Sequence, residues 1–287
     1  MEDHADRPIA GAVEESWLSS LEDNATFDRP WVETAVGWLL DGFRSGATVV
    51  DVGCGAGGAA CAFARHPAAD RVLAVDRDLR LIDVARRRAG REGVADRVRW
   101  ASGAVGALPL RAGRADLVWA SGVVHHVPDQ QAAIVELAAL VRPGGTVALV
   151  EGGLPLRCLP HDVGMGEPGL EARLDEARAR WFADLRAELA GPPMPYGWPA
   201  ALATAGLVDR RTMSYVAESA APLDAAGLQM AHQHLAHALD ELGHRLGADD
   251  RATLRRLLDP GDPLSIHRRD DLTVTAVRTV HTGTRPS

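Results

Sequence analysis

The sequence predicts an α/β fold in which a mainly parallel sheet is covered by helices on both faces. Short runs rich in Val, Leu and Ala alternate with helix-length segments from residue 46 to residue 151. The first run ends in a cluster of glycines, which is typical of a buried strand that turns sharply into a helix. Strands that alternate with helices in this way form parallel sheets whose carboxyl ends share one edge. We therefore expect a ligand site at that edge.

Five strands are predicted in this region, and each is a short apolar run bounded by turn residues. They cover 49–52, 71–75, 98–101, 116–120 and 146–150. Helices are predicted between them near 57–66, 79–90 and 130–141. The Pro143-Gly144-Gly145 run ends the last helix. We interpret residues 46–151 as the ligand-binding core.

Two helices are predicted before the first strand, and we interpret residues 1–45 as a helical lid. Pro30 suits the first turn of the second helix, because its missing N–H would be unpaired there anyway. Trp17, Phe27 and Trp31 lie where they could line a ligand pocket at the mouth of the sheet. The alternative, that they are core, is the usual one for aromatic residues at helical spacing.

The alternation of strands and helices lapses after residue 151. Residues 152–270 are interpreted as a helical cap, with one strand at 207–216. The final strand, 272–280, lies in the last segment, 271–287. A strand placed last after a long excursion fits beside an earlier strand, which would make the sheet mixed.

Composition and charge exclude several classes of function. The chain of 287 residues has a formal net charge of −8, so no nucleic-acid partner is expected. No apolar run approaches the roughly 20 residues of a membrane-spanning helix, and the acidic first residues do not resemble a signal peptide. The expectation is a cytoplasmic protein with no membrane partner. Cys54, Cys61 and Cys158 form no C-x-x-C pair, which indicates a reducing compartment and no structural zinc.

The glycine turn fits more than one nucleoside ligand. Gly53, Gly55 and Gly58 have the G-x-G-x-x-G spacing of dinucleotide-binding turns, with Asp76 about 20 residues further on. Asp51 argues against a dinucleotide, because its carboxylate would lie close to the negatively charged pyrophosphate. A carboxylate there suits a ligand with positive charge and no phosphate, such as S-adenosylmethionine.

Residues 49–57, Val-Val-Asp-Val-Gly-Cys-Gly-Ala-Gly, resemble the first motif of class I S-adenosylmethionine-dependent methyltransferases. Four further segments resemble the later motifs of that family in the right order: 73–76, 103–109, 116–129 and 140–145. The resemblance implies a Rossmann-like mixed sheet of seven strands with a reversed last strand. It also implies S-adenosylmethionine as the cofactor and S-adenosylhomocysteine as the product.

The resemblance further implies which residues hold the cofactor. The glycine turn contacts the methionine half, Asp76 accepts hydrogen bonds from the ribose hydroxyls, and the Ala120 carbonyl accepts from the ammonium group. Ala104 stands where the family usually has an acidic residue, which leaves backbone groups of Ala104 and Val105 to meet the adenine. The implied set is Asp51, Gly53, Cys54, Gly55, Asp76, Arg77, Ala104, Val105, Ala120 and Ser121.

His125 and His126 follow the fourth strand and are candidate catalytic residues. An unperturbed imidazole titrates at about pH 6.5, so either could act as a general base, or one ring could instead pack on the cofactor. His161, in the loop after the fifth strand, is a third candidate base. The side chains predicted to contact the acceptor are Trp17, Phe27, Trp31, Arg157, Tyr196, Trp198 and His267.

The predicted helix at 223–243 and the residue after it carry four histidines: His232, His234, His237 and His244. His234 and His237 share a helical face, but His232 points elsewhere and no carboxylate completes a triad, so no metal is predicted. We interpret the helices at 223–258 as a cap over the acceptor or as the contact of a possible homodimer.

The sequence thus predicts a methyltransferase that acts on O, N or C of a small, aromatic or heteroaromatic specialised metabolite. Three alternatives stay open at this point. An NAD-linked oxidoreductase fits the glycine spacing, and a non-catalytic sensor or scaffold that binds S-adenosylmethionine fits the departure at Ala104. Metal-assisted transfer would use His125 or His161.

Overall fold

A computed structural model describes residues 11–43 and 45–287 of the chain. In this part of the chain eight strands form one sheet: β1 (Ala47–Val52), β2 (Ala69–Asp76), β3 (Val98–Ser102), β4 (Ala115–Ser121), β5 (Val141–Val150), β6 (Leu154–Arg157), β7 (Val208–Ser219) and β8 (Val274–Thr284). Their order is β3-β2-β1-β4-β5-β8-β6, and β7 also pairs with β8.

The first five strands form the parallel part of the sheet, as predicted. β1 lies between β2 and β4, with Val49 opposite both Val72 and Leu117. The β2–β3 and β4–β5 pairs are parallel as well. These strands read as nearly continuous apolar runs because helices cover both faces of the sheet. Their carboxyl ends therefore meet at one edge.

β8 runs antiparallel to its neighbours β5, β6 and β7. The predicted Rossmann-like mixed sheet with a reversed last strand is therefore confirmed. The predicted number of seven strands is wrong, because Leu154 and Arg157 of the short β6 pair with Val277 and Thr275 of β8. A segment of four residues that contains Pro155 carries too little alternation to be recognised as a strand from sequence.

Nine helices of four or more residues lie in the described part of the chain: α1 (Gly11–Phe27), α2 (Arg29–Leu40), α3 (Gly58–Arg65), α4 (Leu79–Arg91), α5 (Gln130–Leu140), α6 (Leu170–Glu188), α7 (Trp198–Thr204), α8 (Ala225–Leu242) and α9 (Ala248–Leu258). Asp78 and Asp129 cap α4 and α5, accepting the amides of Arg80 at 2.9 Å and Ala132 at 2.8 Å. No described helix is long and apolar enough to cross a membrane.

The helices form three buried clusters with the sheet. One cluster packs α2 and α3 against one sheet face and includes Phe63 and Trp119. A second packs α5 and α7 on the other face and includes Ile134. The third lies among α6, α8 and α9 and forms the predicted helical insertion. The division of the chain after residues 45, 151 and 270 stays a prediction.

Candidate functional site

The turn after β1 lies at the carboxyl edge of the sheet and is held by backbone hydrogen bonds. The amides of Gly53 and Cys54 donate to the Val75 carbonyl at 2.8 and 3.0 Å. The Gly55 amide donates to Asp76 Oδ2 at 2.9 Å. Gly55 has a φ of +51°, and a Cβ atom placed there would meet no heavy atom within 4 Å. β2 therefore fixes the turn while its outer side stays open for a ligand.

Asp51 is buried near the end of β1, with 1% of its surface exposed. Desolvation raises the pKa of its carboxyl to about 7; the nearby Asp76 charge adds to the rise, and the Ala60 backbone amide opposes it. Among the described residues, its Oδ2 atom has no hydrogen-bond partner. Burying an unpaired polar atom is costly. Asp51 is therefore poised to stabilise positive charge near the turn.

Asp76 ends β2 and accepts two backbone N–H groups. Its Oδ2 accepts from Gly55, and its Oδ1 accepts from Asp78 at 3.0 Å. A carboxylate has about four lone-pair sites, so both oxygens can accept further hydrogen bonds. The next residue, Arg77, is exposed and lies close enough to His126 to lower the pKa of that imidazole.

The loop after β3 contains Ala104 and Val105, the residues that the resemblance assigns to the adenine. Glu136 of α5 holds this loop by accepting the amides of Gly106 at 2.5 Å and Leu108 at 3.0 Å. Sequence analysis missed Glu136, because its side chain reaches the loop from a helix later in the chain. Glu136 thus places an acidic side chain at this loop. Its carboxylate binds the loop backbone and is not assigned to the adenine.

Ala120 and Ser121 end β4 at the same edge of the sheet. Ala120 is opposite Val52 of β1, and Ser121 is opposite Val150 of β5. The structure thus brings the ends of β1, β2 and β4 together with the loop after β3. The cofactor roles implied for these residues stay predictions.

Glu151, the residue after β5, organises the turn that follows β4, and sequence analysis missed it. Its side chain is buried, with Oε1 accepting the amides of Val123 at 3.1 Å and Val124 at 2.8 Å. Its Oε2 lies 2.7 Å from Nδ1 of His125. A carboxylate accepts, so we assign the proton to Nδ1, which leaves Nε2 as an acceptor. The predicted topology could have indicated Glu151. β4 and β5 are adjacent and parallel, so the residues that follow these two strands are neighbours.

His126 lies beside His125, with ring centroids 4.0 Å apart. The pKa of His126 is lowered to about 4; desolvation is the largest cause, a positive charge on His125 adds to it, and Glu151 opposes both. The His126 imidazole is therefore neutral at pH 7 and can accept a hydrogen bond. The structure brings the two candidate bases together and adds a buried carboxylate that orients one of them.

The carboxyl-terminal half of α6 covers this histidine turn. The Phe182 and His125 ring centroids are 5.8 Å apart, and Arg186 Nη1 donates to the His125 carbonyl at 3.2 Å. Both side chains of α6 also line a cleft of about 530 Å³ whose walls include Tyr196 and Trp198. Small-molecule sites usually measure roughly 300–1,000 Å³. The cleft therefore has the size of a small-molecule site and adjoins His125.

His161 lies at the other end of α6. Its carbonyl accepts the Gly169 amide at 2.7 Å, and Gly169 caps the first turn of α6. Phe182, near the other end of this helix, contacts His125. With a rise of about 1.5 Å per residue, residues 169 and 182 of the helix are separated by about 20 Å. The structure therefore does not bring His161 together with His125 and His126. We do not include His161 in the catalytic group.

Arg157 and His267, both predicted to contact the acceptor, have other partners. Arg157 pairs with Asp175 and lies 3.5 Å from Glu171, both on α6. Nε2 of His267 lies 3.2 Å from Nδ1 of His232 on α8. These contacts place both residues within the helical insertion. In the described part of the chain, neither joins the group around Glu151.

Trp31 belongs to the core. It is 5% exposed, its ring stacks on Trp119 with centroids 6.2 Å apart, and Tyr215 lies 6.0 Å away. Its burial leaves little surface for a ligand, so Trp31 is not included in the proposed acceptor site. Phe27 is half-buried between two of the clusters. The side chain of Trp17 lies outside the described residues.

Cys158, Glu171 and His234 offer ligand atoms that lie within 4.8 Å of one another. Sequence analysis missed this grouping because Glu171 comes from α6. Glu171 already accepts the Cys158 amide at 2.6 Å. Burial lowers the pKa of His234 to about 3, and the positive charges of Arg178 and Arg157 add to the effect. The same charges oppose a bound cation, so we assign no metal to this cluster.

Residues 50–149 match the family model described as a methyltransferase domain. The methyltransferase GfsG of Streptomyces halstedii is 35% identical over 107 residues, which are 37% of this chain and 38% of that protein. A ubiquinone biosynthesis O-methyltransferase of Coxiella burnetii is 37% identical over 100 residues, which are 35% of this chain and 41% of that protein. The matches thus cover about two fifths of these curated relatives.

The fold is also similar to that of solved structures. The YcgJ protein of Bacillus subtilis superposes with a TM-score of 0.52 at 18% identity, covering 88% of this chain and 99% of that one. At this identity the likeness concerns the fold. It covers a larger share of the chain than residues 50–149.

Proposed function

We propose that the chain, a member of the class I S-adenosylmethionine-dependent methyltransferase family, methylates a hydroxyl group. The proposed acceptor is a small aromatic or heteroaromatic metabolite. The observation that carries the acceptor part of this proposal is the buried Glu151 carboxylate, which lies 2.7 Å from His125 Nδ1. This pair lies next to a cleft whose walls combine apolar and aromatic side chains with Gln130 and Arg186. Together they supply a base and a place for the acceptor.

The carboxyl edge of the sheet suits S-adenosylmethionine. The open space at Gly55 leaves room for the methionine half over the turn, and the unpaired Oδ2 of Asp51 favours a ligand that carries positive charge. Asp76 keeps lone pairs for the ribose hydroxyls. When bound, the cofactor supplies an electrophilic methyl group on a positively charged sulfur, and S-adenosylhomocysteine is the product.

His125 takes the proton of the acceptor hydroxyl at Nε2. Glu151 accepts the Nδ1–H hydrogen bond, so the lone pair on Nε2 is free to take the proton. The imidazolium that then forms has a charged hydrogen-bond partner in Glu151. The amides of Val123 and Val124 hold the same carboxylate in place. His126 stays neutral beside it, because the pKa of His126 is lowered to about 4. Positioning and exclusion of water supply much of the remaining catalysis.

The cleft beside His125 has the chemistry of an aromatic-binding site. Its large apolar side chains are Phe182, Pro192, Pro193, Met194, Tyr196 and Trp198. Aromatic side chains stack favourably on planar rings. The Tyr196 hydroxyl donates to Gln131 at 3.1 Å, which restrains the Tyr196 ring. These walls support an aromatic or heteroaromatic acceptor.

The names of the two relatives agree with this proposal. One is called an O-methyltransferase of ubiquinone biosynthesis and the other a methyltransferase of a Streptomyces. Transfer to oxygen also fits the His125–Glu151 pair, because a hydroxyl must lose its proton when it is methylated. A place in specialised metabolism is part of the same proposal.

Calorimetry with S-adenosylhomocysteine, followed by assays with phenolic and heteroaromatic acceptors, tests the proposal. We expect saturable binding of S-adenosylhomocysteine and its formation from S-adenosylmethionine with at least one acceptor. Absence of binding would refute the proposal. A change in reduced-nicotinamide absorbance would favour an oxidoreductase, binding without turnover would favour a non-catalytic sensor, and loss of activity after chelation would favour metal-assisted transfer.

A further inference from the structure

We propose that Phe182 and Arg186, on one face of α6, are positioning residues that hold His125 for the reaction and connect it to the acceptor cleft. This inference rests on the proposed function for the role of His125. The contacts themselves come from a helix that sequence analysis did not connect to the histidines. They join the helical insertion to the turn after β4.

Arg186 binds three carbonyl oxygens of the histidine turn. Its Nη1 donates to the carbonyls of His125 at 3.2 Å and Val127 at 2.6 Å, and its Nη2 donates to Pro128 at 3.0 Å. A guanidinium presents its donors in a rigid planar fork, so three acceptors on one short segment fix the orientation of that segment. Arg186 therefore restrains the backbone from which the His125 ring projects.

The other arginines of α6 whose hydrogen bonds are described each pair with a carboxylate, and Arg173 also donates to the carbonyls of Pro168 and Glu167. These pairs are Arg173 with Asp250, Arg178 with Asp175, and Arg180 with Glu176. In the part of the chain that the structure describes, Arg186 forms no ion pair and directs its donors to the backbone of the histidine turn. This difference separates Arg186 from an ordinary surface arginine of the helix.

Phe182 lies one helical turn before Arg186, so both side chains lie on the same face of α6. The Phe182 ring is tilted by 58° to the His125 ring at a centroid distance of 5.8 Å. It is also 37% exposed and lines the cleft. An acceptor in the cleft therefore contacts the same ring that packs on His125.

The histidine turn is thus held from two sides. Glu151 holds it from the sheet, through the amides of Val123 and Val124 and through the imidazole. Arg186 holds it from α6 through the carbonyls. Without Arg186 the imidazole keeps its contact with Glu151, but the turn loses its second support. A misplacement of about 1 Å can cost roughly 100-fold in rate.

The test compares Arg186→Met, which keeps the aliphatic stem and removes the donors, with Arg186→Lys and the matched control Arg180→Met. We expect Arg186→Met to lower kcat by about 10- to 100-fold. The affinity for S-adenosylhomocysteine and the KM for S-adenosylmethionine should stay within about twofold of wild type. Arg186→Lys should restore part of kcat, because an ammonium still donates to carbonyls. Arg180→Met should resemble wild type.

Hydrogen exchange gives a second readout that does not depend on activity. The backbone amides of residues 123–127 should exchange faster in Arg186→Met than in Arg180→Met. If the wild-type protein forms no product with any acceptor, the proposed function fails while this measurement still tests the contact. Equal exchange in the two variants would overturn the role of Arg186.

Phe182→Leu tests the link to the cleft. Loss of the ring should raise the KM for the acceptor and lower kcat together, with unchanged affinity for S-adenosylhomocysteine. If Arg186→Met does not fold, Arg186→Lys and Phe182→Leu decide the question. Wild-type kcat in both of these variants would overturn the proposal.

Discussion

At the scale of single residues, Asp51 has the most unusual carboxyl in the site. It is almost fully buried, its pKa is raised to about 7, and its Oδ2 atom has no partner among the described residues. A nearby positive charge favours the ionised form of such a group. Asp51 is therefore expected to lower the stability of the ligand-free protein and to favour a cationic ligand.

Asp51→Asn should make the stability of the ligand-free protein less dependent on pH. The carboxyl titrates near 3.8 when unfolded and at about 7 when folded, so wild-type stability falls as pH rises through this window. Urea unfolding should show the free energy of unfolding of the variant gaining about 2–3 kcal/mol on wild type between pH 5 and pH 8. Asp83→Asn, at an exposed position of α4, is the control and should show no such gain. A constant difference between Asp51→Asn and wild type would contradict the account.

At the scale of elements, the site is a set of strand ends and the turns that follow them. The turn after β1 is fixed by β2, the loop after β3 by Glu136 of α5, and the turn after β4 by Glu151 and Arg186. In each case a turn on the carboxyl edge is held by a group from another element. Binding geometry is thus set by the packing of the sheet against its helices.

Gly55→Ala, in the turn after β1, should lower both the folding stability and the affinity for S-adenosylhomocysteine. Alanine at a φ of +51° costs about 1–2 kcal/mol of folding free energy, and its Cβ enters open space. Gly46→Ala, with a φ of +85° and equally open surroundings, is the matched control. Only Gly55→Ala should weaken S-adenosylhomocysteine binding, by about 10-fold or more in calorimetry. Equal affinities of the two variants would show that no ligand occupies the space over Gly55.

At the scale of the whole molecule, the parallel core could be predicted from local patterns. Apolar runs, glycine turns and helix caps are local signals, and β1 to β4 follow them closely. β5 begins at Val141, before the predicted start at residue 146. The short β6 could not be predicted, because its pairing with β8 depends on residues more than a hundred positions away. Trp31 could not be assigned either, because a helical aromatic residue has the same pattern whether it meets a ligand or Trp119.

Site residues that lie next to a sequence motif could be predicted. Site residues that reach the site from other elements of the fold could not. His125 and His126 follow a strand that the sequence predicts, and the structure places them together. Glu151, Phe182 and Arg186 reach them from other elements. His161 follows the fifth strand, yet the path of the chain takes it to the far end of α6. Proximity to a strand in sequence does not fix the direction of a long loop.

Glu151→Gln tests most directly whether Glu151 orients His125 as the base of a methyl transfer. The measurement is kcat for S-adenosylhomocysteine formation, compared with wild type and with Glu188→Gln, an exposed glutamate of α6. We expect Glu151→Gln to lower kcat by about 100-fold, with cofactor affinity within about twofold, because the amide cannot support the imidazolium. Glu188→Gln should match wild type. Wild-type kcat in Glu151→Gln would contradict the account.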